Sequence, residues 1–228
     1  MPKHKALPPL VLWSYLGEVP YAEALAWQHA LAKRLMDDPS IPGYLMLLTH
    51  PPTFTVGRRD SSVFLSKSPE ELKTLGFDFA VTDRGGLVTY HGPGQLVGYP
   101  ILRLKNLRIS SVPDYVKALE DAMLALCRDY DQEGRRIEGL RGLFVGEDKI
   151  GAVGIHVHDD VTTHGFAFNV APDLSHYGHI VACGLADHGI TSLKKLGVET
   201  DVLEAAGLIA ACLAETLGAE LLEVTLPR

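Results

Sequence analysis

From Arg84 to Gln95 the chain reads Arg-Gly-Gly-Leu-Val-Thr-Tyr-His-Gly-Pro-Gly-Gln, with four glycines and a proline in twelve residues. Such a stretch makes tight turns or lets the backbone approach another group closely. No Gly-Lys-Ser/Thr follows, so it is not a phosphate-binding P-loop, and no helix signal follows to make it a dinucleotide fingerprint. Cys183 lies in a loop-rich stretch between Gly178 and Gly189, where a rigid scaffold can present a reactive side chain. A nucleophilic thiol needs a base or a cation beside it. Lys149 heads a strongly apolar run and is the residue that could serve, if the two share a partly dry pocket. Desolvation would then lower its proton affinity until it can accept a proton. The spacing also permits a rival. His176, His179, Cys183 and His188 are zinc-ligand types, although their spacing matches no fixed geometry. Cys127 and Cys212 lie on apolar helical stripes and are expected to pack.

The elements that must carry these residues follow from periodicity. Strands are expected at 11–15, 44–48, 53–56, 77–81, 87–90, 95–102, 143–145, 149–158, 163–170 and 221–225. Helices are expected at 20–36, 69–75, 111–130 and 201–217. The first has an apolar stripe of Ala24, Trp27, Leu31 and Leu35. The third has Val116, Leu119, Met123, Leu126 and Tyr130, with Asp114 three residues after Ser111 at its start. Many short strands joined by hairpin-like turns, with few helices, predict an α+β fold rather than a regular alternation of strand and helix.

The run Arg84-Gly-Gly-Leu-Val-Thr-Tyr-His-Gly-Pro-Gly-Gln-Leu-Val-Gly-Tyr-Pro-Ile101 resembles the signature of lipoyl(octanoyl) transferases, also called lipoate biosynthesis protein B. His50-Pro-Pro-Thr-Phe-Thr-Val-Gly57, Asp148-Lys-Ile-Gly-Ala-Val-Gly-Ile155, Thr163-His-Gly-Phe-Ala-Phe-Asn-Val170, Cys183-Gly184 and Gly189-Ile-Thr-Ser-Leu193 agree with that family in the same order. The resemblance spans about residues 12–217. It implies a biotin/lipoate protein ligase-like fold, a mixed and largely antiparallel sheet with flanking helices, and one catalytic domain over 1–228. It implies transfer of an octanoyl group from octanoyl-acyl carrier protein, through a cysteine thioester and without ATP, to a lysine of a lipoyl domain. Such acceptors belong to 2-oxoacid dehydrogenase complexes and the glycine cleavage H protein. By position Cys183 matches the nucleophile, and Lys149 the lysine that lowers its pKa and shuttles protons. Arg84, Gly85, Gly86, Leu87, Val88, Thr89, Tyr90 and His91 match the first substrate-binding segment. Ala152, Val153 and Gly154 match the second, and Gly165, Phe166 and Ala167 the third. Leu87, Ala182, Phe166 and Phe168 depart from the residues usual there. The resemblance implies no cofactor and no metal.

Composition bounds the alternatives. The 228 residues carry 21 Lys and Arg against 28 Asp and Glu, a net charge of −7, with 46% hydrophobic residues. That is globular composition, and its acidity argues against a general nucleic-acid binder. Three cysteines do not make a disulfide framework. No signal peptide or membrane span is read, so a cytoplasmic location is expected. Both partners implied above are usually acidic, so a local basic face is expected, drawn from Arg58, Arg59, Arg103, Lys105 and Arg108. Three other readings remain open beside the transferase: an ATP-using ligase of the same fold, a zinc hydrolase, and an acyl-binding module without turnover.

Overall fold

A computed structural model describes residues 8–58, 64–107, 109–180 and 188–225. The elements run β1 (Leu10–Glu18), α1 (Tyr21–Asp37), β2 (Gly43–Thr49), β3 (Thr53–Val56), α2 (Pro69–Thr74), β4 (Asp78–Val81), β5 (Thr89–His91) and β6 (Gln95–Ile101). They continue with α3 (Val112–Asp129), β7 (Gly134–Arg135), β8 (Leu143–Val145), β9 (Asp148–His158), β10 (Val161–Asn169), α4 (Val202–Leu217) and β11 (Glu220–Glu223). One sheet of eight strands has the order β11-β1-β2-β6-β10-β9-β8-β7. Its β11, β1 and β2 run parallel and the remaining pairs antiparallel. A second sheet, β4-β3-β5, stands apart with α2. The expected mixed, largely antiparallel sheet with flanking helices is what the chain adopts.

The helices cover both faces of the large sheet, which explains the unbroken apolar run of β2. Leu45 and Leu47 point toward α3 and α4, where they pack with Leu119, Met123, Ile209 and Leu213. Tyr44, Met46 and Leu48 point the other way, toward Ala24, Ala32 and Leu35 of α1. The small sheet has its own core of Phe54, Leu72, Phe77 and Tyr90. Local signals start the helices. Ser68 and Glu71 form a full capping box on α2, Ser111 accepts the Asp114 N–H on α3, and Asp201 accepts the Glu204 N–H on α4. Gly218, at φ +61°, closes α4 in the left-handed conformation that glycine adopts without penalty.

The first helix departs from expectation. Its buried line is Tyr21, Ala24, Gln28, Ala32 and Leu35, with Trp27 and Leu31 only half-buried. A glutamine occupies the centre of the stripe because strand β10 needs it there. His164 takes a left-handed φ of +57° within β10, before the rungs with β6 begin at Phe166–Gly98, so its N–H turns out of the ladder. The freed N–H of His164 donates to Gln28 Oε1 at 2.7 Å. Replacing Gln28 with Ala leaves that buried donor unpaired. The expected loss is about 1–3 kcal/mol, read as a lower urea midpoint.

Strand bounds differ in one place that bears on function. Residues 87–90 were expected to form a strand, but pairing begins only at Thr89 and runs to His91. Leu87 and Val88 precede it as irregular backbone. No helix among the described residues is long and apolar enough to cross a membrane.

Candidate active site

Strands β9 and β10 form the floor of the site. Two of the sequence-picked segments prove to be the same three rungs of one hairpin. Gly154 faces Gly165, Val153 faces Phe166 and Ala152 faces Ala167. The backbone packs closely at both ends of that patch, and at Gly165 it admits no side chain. A Cβ on Gly165 would fall on the carbonyl oxygen of Gly98 in β6 and 2.6 Å from Pro100 Cδ. A Cβ on Gly154 would lie 3.0 Å from the carbonyl oxygen of Gly85, because the Arg84–Gly86 loop crosses directly over β9. The N–H of Gly85 pins that crossing by donating to the Ile155 carbonyl at 2.9 Å.

Between loop and hairpin lies a cavity of about 330 Å³. Of the fourteen expected substrate-binding residues, thirteen line it: Arg84 through Thr89, His91, Ala152 through Gly154, and Gly165 through Ala167. Tyr90 does not. Its side chain points to the other side of β5, into the small sheet's core, and its hydroxyl bonds His176 Nδ1 at 2.7 Å. Lys149, Ile150, Ile180 and Ile190 also line the cavity. So do Tyr21, Gln95, Tyr99, Asn169 and Tyr177, which sequence reasoning did not select. Gln95 and Tyr99 lay within the recognised motif and could have been picked as its polar members; Tyr21 and Tyr177 carried no such signal.

The polar wall is neutral apart from one cation. His50 donates from Nδ1 to the Val19 carbonyl and accepts from the Tyr99 hydroxyl at Nε2, and burial pushes its pKa down to about 4. Gln95 donates its amide N–H to the Tyr90 carbonyl, so its oxygen accepts from His91 Nδ1 at 2.8 Å. Burial first, and the neighbouring His50 second, hold His91 well below the ordinary histidine range. It is therefore neutral at pH 7, with its Nε2 lone pair free of that bond. Arg84 is buried, and its guanidinium donates to the Thr55 hydroxyl, the Thr55 carbonyl and the Gly85 carbonyl. Among the described residues its hydrogen-bond partners are all uncharged, so its positive charge is left to act on whatever enters the cavity.

Lys149 is set into the opposite wall. A lysine at a strand start is usually solvated, but this one is half-buried. The segment after residue 187 runs alongside it: the Lys149 N–H donates to Gly189 O and its carbonyl accepts from Thr191 N–H, both at 2.9 Å. Its ammonium donates to the Arg141 carbonyl at 2.8 Å and sits 5.8 Å from the centre of the Phe144 ring. Burial pushes its pKa down to about 8, with the Glu120 carboxylate opposing that fall. At pH 7 a larger share of Lys149 is then free amine than of an ordinary lysine. A group so poised can take a proton from an incoming nucleophile and return it.

Cys183 lies outside the described residues, as do Ala182, Arg59 and Arg108. The described chain on either side of residues 181–187 reaches the cavity wall, at Ile180 and at Ile190. Cys127 and Cys212 are buried, and burial pushes both thiols up to about 12, as suits packing residues. His176 and His179 pack edge-on against Phe77, whereas His188 bonds the Glu147 carbonyl. Among the described residues no three His, Cys, Asp or Glu side chains are grouped as metal ligands. Of the residues expected to form a basic face, three are described: the Arg58 N–H donates to the Arg84 carbonyl, the Arg103 guanidinium to the Leu35 carbonyl, and the Lys105 N–H to the Asp160 carboxylate.

Comparison with known proteins gives the family. The profile of the lipoyl protein ligase A/B catalytic domain matches residues 20–214. An octanoyltransferase of Caldicellulosiruptor bescii is 47% identical over 184 residues, covering 80% of this chain and 80% of its own. One from Solibacter usitatus is 45% identical over 189 residues, covering 83% and 84%. A solved structure of lipoate-protein ligase A bound with ATP superposes with a TM-score of 0.80 at 15% identity, covering 97% of this chain and 90% of that one, which establishes the shared fold. The chain belongs to the lipoyl protein ligase A/B catalytic domain family and, within it, is an octanoyltransferase, an acyltransferase of lipoate biosynthesis.

Proposed function

We propose that this enzyme moves octanoyl from acyl carrier protein to a lipoyl-domain lysine through a thioester on Cys183, without ATP, and that residues 1–228 act as one catalytic domain. The observation that carries the reading is Lys149: a lysine held near pKa 8 at the cavity where the three family segments meet. The Cys183 thiolate attacks the carrier's thioester carbonyl, forming a C–S bond. The intermediate collapses and expels the carrier thiolate, which takes a proton from the Lys149 ammonium. The acceptor lysine amine then attacks the Cys183 thioester, Lys149 takes its proton, and the Cys183 thiolate leaves. One thioester is exchanged for another and then for an amide, so the second step runs downhill without nucleotide.

The buried Arg84 supplies positive potential for the thiolate and for each developing oxyanion. Leu87, Val88, Val153, Phe166 and Ile150 give the octanoyl tail apolar contact, at about 0.8 kcal/mol per buried methylene. Lipoyl domains of 2-oxoacid dehydrogenase complexes and the glycine cleavage H protein are the acceptors on this reading. A reducing cytoplasm is the compartment in which a free thiolate persists.

Intact-protein mass tests this. Incubation with octanoyl-acyl carrier protein and no ATP is expected to add one octanoyl group to the wild type and none to Cys183→Ala. Adding apo lipoyl domain should discharge it. Lipoyl-domain modification that requires ATP, with no adduct on the enzyme, would overturn the reading in favour of an adenylating ligase.

A further inference from the structure

Glu120 is an unusual residue to find on the core face of α3. It is 7% exposed, among Leu119, Met123 and Leu126. A carboxylate there needs partners to offset its desolvation. Arg136 supplies one, donating from Nε to Glu120 Oε2 at 2.7 Å. The other is a backbone amide: the Gly142 N–H donates to Glu120 Oε1 at 2.9 Å.

That amide belongs to the peptide bond between Arg141 and Gly142, whose carbonyl accepts from Lys149 Nζ at 2.8 Å. In a trans peptide the N–H and C=O point in opposite directions. One peptide plane therefore stands between a buried carboxylate and the half-buried ammonium. A negative charge on the N–H side polarises the bond and makes its carbonyl the better acceptor. The loop is shaped to allow this. Gly142 has φ +105°, and a Cβ there would lie 2.8 Å from Lys149 Cε and closer still to the Gly151 carbonyl oxygen.

We propose that Glu120 is the positioning residue of Lys149, acting through the Arg141–Gly142 peptide to hold the amine in the cavity wall. The inference rests on the reading of Lys149 as the proton carrier. The carbonyl fixes one N–H direction of the amine in both protonation states, so the lone pair that accepts a proton keeps one heading through the cycle.

The other charged groups around this bond are engaged elsewhere. Lys117 pairs with Asp121 on α3, and Asp121 also meets Arg136. Arg135 pairs with Glu147, and Lys195 with Asp148. His188 bonds the Glu147 carbonyl, and the Arg141 side chain is exposed. Glu120 is the charge that holds the proton affinity of Lys149 up against burial.

Two substitutions then act in opposite directions. Glu120→Gln keeps an oxygen for the Gly142 N–H but removes the charge, so Lys149 should titrate lower, by about half a pH unit. Arg136→Gln frees the carboxylate from its partner and should move the midpoint upward. The experiment is an NMR titration of protein labelled with 13C at lysine Cε, the Lys149 signal assigned with Lys149→Arg. The acidic limb of kcat/KM for octanoyl transfer is followed in parallel. Opposite shifts in both readouts are the expected result. If both variants lose stability while the Lys149 midpoint stays within a tenth of a unit, Glu120 is a structural ion pair and the proposal fails. Arg136 has a third of its side chain exposed and its replacement is the milder of the two, so a Glu120→Gln that does not fold still leaves the test standing. The NMR midpoint reads Lys149 whether or not octanoyl is transferred. Absence of transfer by the wild type would instead count against the reading of the reaction.

Discussion

Lys149→Met is expected to lower octanoyl transfer by about 10³-fold or more while making the folded protein more stable at neutral pH. The two effects share a cause. In the folded chain the ammonium is partly stripped of water and its pKa falls from 10.5 to about 8. The unfolded chain keeps the ordinary value, so between these limits it binds more protons than the folded one. Wild-type stability therefore rises as pH climbs from 8 to 10.5, and below pH 8 the fold carries the full penalty. A 2.5-unit depression corresponds to at most about 3 kcal/mol. Losing the bond to the Arg141 carbonyl takes back part of that, leaving an expected gain of about 1–2 kcal/mol for Met at pH 7. Urea unfolding at pH 7, 9 and above 10.5 checks the sign: the advantage should shrink across this window and disappear at its top. An advantage that does not change with pH would mean that Lys149 titrates normally in the folded state.

Gly165→Ala should damage the protein more broadly, through its frame. The new methyl would meet the Gly98 carbonyl oxygen, which belongs to the backbone of the central strand β6 and has no rotamer by which to retreat. Either β10 leaves β6 or both strands bend. The expected cost is above about 4 kcal/mol, seen as a collapse in soluble yield or in the denaturant midpoint. Gly165 was selected as a substrate-binding residue. It does line the cavity, but strand packing alone already excludes any side chain there. Soluble, fully stable Gly165→Ala with impaired transfer would assign the glycine to substrate contact alone.

Much of this architecture was legible in the sequence. The bounds of β3 and β8 agree with expectation to the residue, and the helices agree within two. Capping residues and β-branched runs act locally, so they can be read locally. What stayed hidden depends on partners distant in the chain. The parallel pairing of β1 with both β2 and β11, and the separation of β3, β4 and β5 into a second sheet, leave no mark on hydrophobic period. Gln28 was overlooked because the demand for it arises at His164, far along the sequence. Glu120 was overlooked for a similar reason. It falls four residues after Val116 and three before Met123, on the apolar stripe, and a charge at such a place signals a buried partner even when that partner cannot be named. Lys149 was singled out by its type and place at the head of an apolar run and then by resemblance, while the backbone that buries it comes from residues 139–142 and 189–191. The role of Cys183 rests on the motif, since that residue lies outside the described part of the chain.

The pairing of β1 with β11 also bears on how the protein is made. Leu10 aligns with Glu220 and Trp13 with Glu223, so two segments some 210 positions apart share one ladder. During synthesis β1 emerges before the other described elements, yet its outer edge stays unpaired until residues 220–223 have cleared the ribosome. At about 5–20 residues per second that is a wait on the order of ten seconds or more. Through it, an apolar strand presents open backbone groups to any neighbouring nascent chain. Completing the sheet then requires closing a loop of nearly the whole described length, which places this fold among the slower ones to finish.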